Sequence, residues 1–278
     1  MKTVILDNIY RNGNLVTTMF RNGSLIYQRA TKAPVVDYSS MYLTIEALES
    51  GTFYVRNSNV GYSINEGTWE TTEGATSLQL SQGDKVRFKG TNGGSYLFSG
   101  NTIDFDVYGN IESLEYGDNF TGQTQIKRTY AFQFCFTFCS GLNSAENLIL
   151  PVLSLTDWCY YAMFRYCENM VKAPELPATT LGAGCYNSMF SNCFALTETP
   201  VLPAPVLVSS CYQTMFYECT NLNKVTCLAT NISASASTDM WLQSVSSTGT
   251  FYGKQEANWG SGVSGIPNGW TSILEAQL

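Results

Sequence analysis

A 26-residue period in the second half of the chain limits its possible folds more than any other feature of the sequence. Apolar residues recur at this step around a Met-Phe pair. The columns are Cys159, Cys185 and Cys211; Met163-Phe164, Met189-Phe190 and Met215-Phe216; Cys167, Cys193 and Cys219; and Leu150, Leu176, Leu202 and Leu228. One apolar set per 20 to 30 residues is typical of stacked coils, each burying its apolar side against its neighbours. The period therefore predicts a solenoid.

The repeat predicts about five coils with atypical copies at both ends. The first copy starts at Ala131 and is two residues longer, and the last starts at Ser237, where Trp241-Leu242 replaces Met-Phe. Each coil is predicted to combine a short strand, as in "TPVLPAP", with a helical or irregular turn, as in "CYNSMFSNC". Proline cannot donate to a sheet, so the proline pairs predict very short strands.

The residues before the repeat predict further β-structure. From about 40 to 125, alternating runs such as "TFYVRN" and "DKVRFKG" lie between turn signals, which predicts an antiparallel β-sandwich over residues 38–127. Trp69, Phe88 and Phe98 are interpreted as its core. The solenoid, with its C-terminal cap, is then expected over residues 128–278, and the whole chain is expected to be mainly β.

The N-terminus carries a short duplication. "YRNGNLV" at 10–16 and "FRNGSLI" at 20–26 share Arg-Asn-Gly, and Asn-Gly favours tight hairpin turns because both residues tolerate positive φ. We predict a meander of hairpins over residues 1–30, followed by a linker at 31–40. So small a unit buries little by itself, so an assembly role is expected, with candidate contacts at Tyr10, Arg11, Phe20 and Arg21. An ordinary hairpin packed on its own chain is the alternative.

The composition argues against several functions. The chain has no histidine, which removes Ser-His-Asp and Cys-His catalysis, and a net charge of -7 gives no basic footprint for nucleic acid or anionic lipid. Neither a signal peptide nor an apolar run long enough to span a membrane is visible. We therefore expect that the protein is not an enzyme, uses no cofactor and has neither a nucleic-acid nor a membrane partner.

The units "CYYAMFRYCENMVKAPELPATTL", "CYNSMFSNCFALTETPVLPAPVL" and "CYQTMFYECTNLNKVTCLATNI", with "STGTFYG" and "WGSGVSGIPNGW" after them, resemble BspA-like leucine-rich repeats of Bacteroidetes and their phages. The resemblance covers about residues 38–278. The duplicated start resembles, more weakly, the attachment segments of phage virion proteins. Bacterial members of the family are exported, whereas a phage protein needs no export signal. The resemblance therefore implies a virion fibre or surface-decorating protein.

The nine cysteines allow three roles. Zinc needs about four ligands in a tetrahedron, whereas one thiol per coil gives a line. If the turn is helical, the two cysteines of one coil are too far apart to form a disulfide. Disulfides between stacked coils remain an alternative. Packing is favoured, because Ser237 and Val245 replace cysteines in the last copy and could not replace ligands. Slow thiol labelling of the native protein is the expected consequence.

Carboxylates offer a second place to look for chemistry. Asp104 and Asp106 share one strand face, and Glu112, Glu115 and Asp118 follow. A calcium site or a glycosidase pair fits such a group, and so does an ordinary solvated strand face. No catalytic or metal-ligating residue is assigned, and structural calcium stays an open alternative.

Candidate ligand contacts come from comparing the coils with one another. Inside the constant frame Met-Phe-x-x-Cys two residues vary, which suggests an exposed recognition surface. These candidates are Arg165, Tyr166, Ser191, Asn192, Tyr217 and Glu218. Tyr160, Tyr186 and Tyr212 form a further column, either an exposed aromatic ladder or, as favoured, rings packed along the solenoid.

These expectations combine into one hypothesis. The protein is made in the host cytoplasm and becomes part of the virion, as a head or tail fibre or a decoration. Its N-terminus docks on other virion proteins and its solenoid attaches to a bacterial surface glycan or protein. A bacterial cell-surface adhesin and a structural decoration without a receptor are the alternatives. A homo-oligomer, by analogy a trimer, is also expected.

Overall fold

The computed structural model describes residues 36–275 and the backbone of four short strands between residues 10 and 28. The chain divides into two compact units, Met1–Asp37 and Tyr38–Leu278. The division falls within the predicted linker, whose residues 31–35 lie outside the described part.

The first unit contains the two predicted hairpins. Strand β1 (Tyr10–Arg11) pairs antiparallel with β2 (Asn14–Leu15), and β3 (Thr18–Arg21) pairs with β4 (Ser24–Gln28). Arg11 lies opposite Asn14 and Arg21 opposite Ser24, so the antiparallel pairing agrees with the predicted hairpins, while the Asn-Gly turns themselves lie outside the described residues. The side chains of the four candidate assembly residues are outside the described part, and their role stays a prediction.

The second unit begins with two sheets. A six-stranded sheet has the order β12-β11-β5-β10-β7-β8 and is antiparallel except for the parallel pair β11 and β12. Its strands are β5 (Leu43–Ala47), β7 (Gly61–Ile64), β8 (Glu70–Thr71), β10 (Lys85–Lys89), β11 (Phe105–Asn110) and β12 (Leu142–Ile149). The remaining strands here, β6 (Gly51–Val55) and β9 (Thr76–Leu80), form an antiparallel two-stranded sheet.

Alternating apolar residues build the core between these sheets. Phe53 of β6 lies 5.2 Å from Phe105 of β11 and 5.7 Å from Phe98, measured between ring centroids. Phe88 and Phe98 are fully buried, as predicted. The prediction for Trp69 was wrong, because its ring is half-buried at the surface against Tyr42.

Few strands occur after β12. Strands β13 (Lys224–Cys227), β14 (Thr250–Lys254) and β15 (Thr271–Glu275) form a parallel sheet. Between β12 and β13, single parallel bridges join equivalent positions of successive copies, such as Ser154 with Thr180. Among residues 36–275 the helices are α1 (Ser113–Tyr116) and three short 3-10 turns at Tyr38–Ser40, Gly117–Asn119 and Gln255–Ala257.

Of the helical or irregular turn predicted over "CYNSMFSNC", the helical form is wrong. Every fourth residue there has left-handed φ, at Gly184 (60°), Ser188 (56°) and Asn192 (63°), so the segment is a chain of consecutive turns. The offsets of four, five and eight fit this four-residue repeat as well as a helix. We number the coils by their first left-handed residue: Tyr130, Trp158, Gly184, Ser210 and Ala236 start coils 1 to 5.

The turn segments stack through their backbone. Alternate N–H groups bond within the coil, as from Asn187 to the Gly184 carbonyl (3.1 Å). The intervening groups bond to the next coil, as from Tyr186 to the Cys211 carbonyl (3.1 Å). Half of the donors thus depend on a neighbour, and a coil alone would leave them unpaired.

Two ring columns fill the coils. Successive ring centroids lie 5.1 to 5.5 Å apart in the column Phe98, Phe136, Phe164, Phe190 and Phe216. The second column is Phe132, Tyr160, Tyr186, Tyr212 and Trp241. Its tyrosines are buried, which confirms the packing interpretation. Phe98 precedes residue 128, so one core continues across the predicted domain boundary.

A partial coil precedes coil 1. The N–H groups of Gly94, Tyr96, Phe98 and Gly100 donate to the carbonyls of Ala131, Gln133, Cys135 and Thr137. At the other end, Trp241 stacks on Trp259 and donates from Nε1 to the Gly265 carbonyl (2.9 Å). The last copy and the residues after it cover the end of the stack.

Candidate functional site

The cysteines are packing residues with a second role that the sequence did not reveal. All nine are buried and free. Four thiols donate to a phenylalanine carbonyl one coil back; these pairs are Cys139 to Phe98 (2.9 Å), Cys167 to Phe136 (3.1 Å), Cys193 to Phe164 (3.1 Å) and Cys219 to Phe190 (3.0 Å). Burial raises the pKa of the Cys139 and Cys219 thiols to about 12, so they remain protonated.

The carboxylates near the end of the six-stranded sheet do not converge. Glu115 pairs with Arg128 (3.1 Å) and Asp118 with Lys89 (2.9 Å). Within the part of the chain that the structure describes, no three His, Cys, Asp or Glu side chains come together as metal ligands would. The same residues contain no helix long and apolar enough to cross a membrane.

The six candidate contact residues lie on what we call the turn face, the side of the coils formed by the consecutive turns. The expectation that they are exposed was wrong for Ser191 and Asn192, which are each 3% exposed. The other four, Arg165, Tyr166, Tyr217 and Glu218, are half-buried. Variation between coils therefore does not mark exposure here.

Side-chain pairing along the stack explains this burial. Ser191 Oγ donates to Asn192 Oδ1 (2.9 Å), and Asn192 Nδ2 donates to Glu218 Oε2 in the next coil (2.6 Å). A side chain on this face thus forms hydrogen bonds with a side chain of the neighbouring coil. The type of residue can change from coil to coil as long as neighbours remain complementary, even though the site is covered.

Coils 3 to 5 continue this pairing across the turn face, and we call it the amide ladder. Asn187 Nδ2 donates to Gln213 Oε1 (3.0 Å), and the hydroxyls of Ser188 and Thr214 are 2.7 Å apart. Gln213 Nε2 in turn donates to Asp239 Oδ2 (3.5 Å). These polar groups satisfy one another, which leaves few of them free to bind a ligand.

The partial coil and coils 1 and 2 carry rings on the same face. We call this set the aromatic patch: Tyr96, Tyr130, Phe134, Phe138, Trp158, Tyr161 and Tyr166. Tyr96 stacks on Phe134 (4.6 Å between centroids) and Phe138 on Tyr166 (4.7 Å). Phe138 is nevertheless 54% exposed, Tyr96 48% and Tyr130 42%. Contiguous exposed apolar surface of this kind marks interaction sites.

Several of these rings occupy backbone positions that do not suit them. Tyr130, Phe134, Phe138, Trp158 and Tyr166 all have φ between 54° and 60°. Left-handed φ costs an ordinary residue roughly 1–2 kcal/mol, and asparagine and glycine adopt it more easily. Coil 3 has Gly184, Ser188 and Asn192 at equivalent positions, and coil 4 has Thr214 and Glu218, so the fold does not require rings there.

Sequence reasoning found Tyr166 and missed the other six rings of the aromatic patch. The signal was present in the spacing. Tyr130, Phe134 and Phe138 recur every four residues, and Trp158 and Tyr166 follow Tyr130 and Phe138 by the 28-residue step of the first copy. A four-residue turn repeat places them on one face, as a helix approximately would, whereas an irregular turn does not.

Outside the turn face, the coils carry a cleft of about 520 Å³ between coils 2 and 3. Pro174, Pro177, Pro200 and Pro203 line it, and Glu198 at its rim pairs with Lys224 (2.9 Å) and Lys172 (3.8 Å). Single bridges join Ser144 to Lys172 and Glu198 to Lys224, but no described bridge joins Lys172 to Glu198. The prolines interrupt the backbone bridges between coils here, in agreement with the very short strands predicted from them.

Comparison of the chain with protein-family models, with curated proteins and with solved structures finds no match. The chemistry of the two exposed surfaces, the aromatic patch and the cleft, is what indicates a function. Only the aromatic patch combines exposed rings with costly backbone conformations.

Proposed function

We propose that this chain is a non-enzymatic phage virion protein, a fibre or surface decoration, whose stacked coils form a BspA-like leucine-rich-repeat solenoid that binds the host cell surface. The aromatic patch is the observation that carries this proposal. The resemblance of the repeat units to that family supports it, as does the stacking of the coils at the predicted step.

The chemistry of the aromatic patch favours a surface glycan over a charged partner. A sugar ring has an apolar face of C–H groups and a rim of hydroxyls. An exposed tyrosine matches both, because its ring is apolar and its hydroxyl is polar. Tyr96 and Tyr130 present such rings, and Phe138 adds an exposed ring without a hydroxyl. A surface protein with exposed apolar side chains is the second ligand class that fits.

The N-terminal unit suits attachment to the particle. It is one of two compact units, its described residues form two antiparallel strand pairs, and the same Arg-Asn-Gly sequence lies between the strands of each pair. Two-stranded hairpins of this size are marginally stable alone and gain stability from a partner. Docking on other virion proteins through Tyr10, Arg11, Phe20 and Arg21, with a trimer by analogy, remains part of the proposal.

The experiment that tests recognition replaces rings with residues that later coils carry at the same positions. Trp158→Gly follows Gly184 and Tyr166→Asn follows Asn192, so both substitutes suit left-handed φ. We expect the double variant to keep its melting temperature and to lose at least tenfold in affinity for host cells. The matched control, Ser188→Ala with Thr214→Ala, lies in the amide ladder and should bind normally. Equal binding by both variants would exclude the aromatic patch.

Localisation distinguishes the proposed function from its alternatives. Gold-labelled antibody against the purified chain should decorate intact particles. Label confined to bacterial envelopes would instead establish an adhesin. Particles that carry the label while the purified chain fails to bind host cells would establish a structural decoration.

A further inference from the structure

Strand β10 carries a row of cations on the outer face of the six-stranded sheet. Val86 and Phe88 point into the core and are fully buried. Since side chains alternate along a strand, Lys85, Arg87 and Lys89 all lie on the opposite face. Three adjacent cations are unusual in a chain with a net charge of -7.

The two outer cations are neutralised and the central one is not. Lys85 Nζ lies 3.5 Å from Glu46 Oε2, and Lys89 Nζ lies 2.9 Å from Asp118 Oδ1. Arg87 forms no ion pair with any carboxylate that the structure describes. Arg87 Nη2 donates to the Ser63 hydroxyl (3.1 Å), and its buried Nε has no described acceptor.

Aromatic side chains flank this unpaired guanidinium. Its Cζ lies 5.4 Å from the centroid of Trp69, and Lys89 Nζ lies 4.2 Å from the same ring. Tyr42 packs edge-on against Trp69 at 5.0 Å and donates its hydroxyl to Asp118 (2.7 Å). Both rings are half-buried and keep part of their surface in solvent.

We propose that Arg87 anchors a second binding site, which takes the carboxylate of an acidic sugar. A guanidinium has five donors in a planar fork that matches a carboxylate, and one hydroxyl leaves most of that capacity unused. Trp69 and Tyr42 supply the apolar surface that a sugar ring needs beside its charged group. The site lies on the sheet and does not depend on the aromatic patch.

The flanking pairs explain why the site selects a single charge. Glu46 and Asp118 already neutralise Lys85 and Lys89, so the unpaired positive charge is confined to Arg87. A sugar with one carboxylate compensates it, whereas a densely anionic polymer would meet those two carboxylates as well. An acidic peptide of Asp and Glu lacks the apolar C–H face with which a sugar ring packs on Trp69.

The test uses the methyl glycoside of galacturonate, a sugar with a single carboxylate, and its methyl ester, which keeps the sugar and removes the charge. Isothermal titration of the full chain should show binding of the acid form, no binding of the ester, and weakening by added salt. Arg87→Gln should lower the affinity at least tenfold. Arg87→Lys should fall between, since it keeps the charge but loses the fork. The matched control, Lys85→Gln combined with Glu46→Gln, removes a neighbouring ion pair without changing the local net charge and should bind like the unaltered chain.

Binding of the ester equal to that of the acid, or unchanged binding by Arg87→Gln, would overturn the proposal. Tighter binding of an acidic hexapeptide or of inorganic phosphate than of this glycoside would also overturn it. If Arg87→Gln fails to fold, the Arg87 Nε resonance of the unaltered chain provides the readout. It should shift on addition of the acid form, and an unshifted resonance counts against the site.

Discussion

The two ends of the turn face have the same backbone conformation, but their side chains are covered at one end and exposed at the other. Phe138 and Asn192 occupy equivalent left-handed positions, with φ of 57° and 63°. Asn192 is covered and hydrogen-bonded to Glu218, whereas Phe138 stacks on Tyr166 and remains half exposed. The framework inside the coils fixes the geometry, and the outer residues decide whether a surface is closed or available for binding.

The comparison also separates stability from recognition. Asparagine suits the left-handed position and bonds along the stack, so the amide ladder contributes to the fold. A ring at that position costs roughly 1–2 kcal/mol, which stacking on the next ring offsets in part. Retaining exposed rings there is understandable if they are used to bind a ligand.

The largest expected effect contrasts the inner ring column with the aromatic patch. Phe164→Ala removes a fully buried ring between Phe136 and Phe190 and should lower the free energy of unfolding by about 3–5 kcal/mol. Phe138→Ser, at the patch, should change it by less than about 1 kcal/mol. Urea unfolding of both variants measures this difference. Similar losses of stability in the two variants would contradict the distinction between the buried ring column and the aromatic patch.

The junction beneath coil 2 should respond to pH, unlike the amide ladder. Glu112 is fully buried with both carboxyl oxygens unpaired among the described residues, and it is an electrostatic neighbour of Tyr160. Burial, reinforced by Glu115, raises the pKa of Glu112 to about 8. In the unfolded chain this carboxyl ionises near pH 4.5. The contribution of neutral Glu112 to the free energy of unfolding is therefore complete below that pH and falls by about 1.4 kcal/mol per pH unit until about pH 8.

Glu112→Gln should therefore flatten the decline in stability between pH 4.5 and 8 and raise the melting temperature most at the alkaline end. Unfolding measured across this range, for both proteins, provides the test. The surface variant Glu198→Gln is the control and should leave the slope unchanged. A slope unaffected by Glu112→Gln would show that this carboxyl is not neutral in the folded chain.

The thiol columns belong to the framework and should be inert. With the pKa of Cys139 and Cys219 raised to about 12, aromatic disulfide reagents at pH 8 should react slowly with the native chain and rapidly after denaturation. Cys193→Ala removes the thiol that donates to the Phe164 carbonyl and should cost about 1–3 kcal/mol. Complete, rapid labelling of the native protein would contradict the packing role.

The smallest effect is expected in the amide ladder. Asn192→Gly keeps a residue suited to left-handed φ and loses only the bonds to Ser191 and Glu218, so a cost of about 1 kcal/mol is expected. Asn192→Ala adds strain and should cost more. Thermal unfolding of the pair measures the difference. Equal costs would mean that backbone strain plays no part at this position.

The sequence predicted what depends on spacing and on local chemistry. The 26-residue step placed Met163, Phe164 and Cys167 in the core correctly, and Asn12-Gly13 gave the correct hairpin. It could not distinguish a helix from a chain of turns, because offsets of four and eight fit both. The burial of Asn192 was also hidden, since it depends on Glu218 in the next coil.

The partial coil was missed for a related reason. Its residues, such as Tyr96 and Phe98, do not share the repeat, and only their backbone bonds to coil 1 assign them to the stack. Trp69 was misplaced because an aromatic residue between strands fits a core or a surface equally well. Both cases depend on contacts between distant segments, which no local pattern encodes.

Hydroxyl-radical footprinting of the chain, free and bound to isolated host envelopes, tests the central claim most directly. It compares the solvent exposure of each side chain in the two states. Binding through the aromatic patch predicts strong protection of Tyr96, Tyr130 and Phe138, with Met240 in coil 5 unchanged. Protection confined to Met240 and the residues of the amide ladder, or to the proline-lined cleft, would contradict the account.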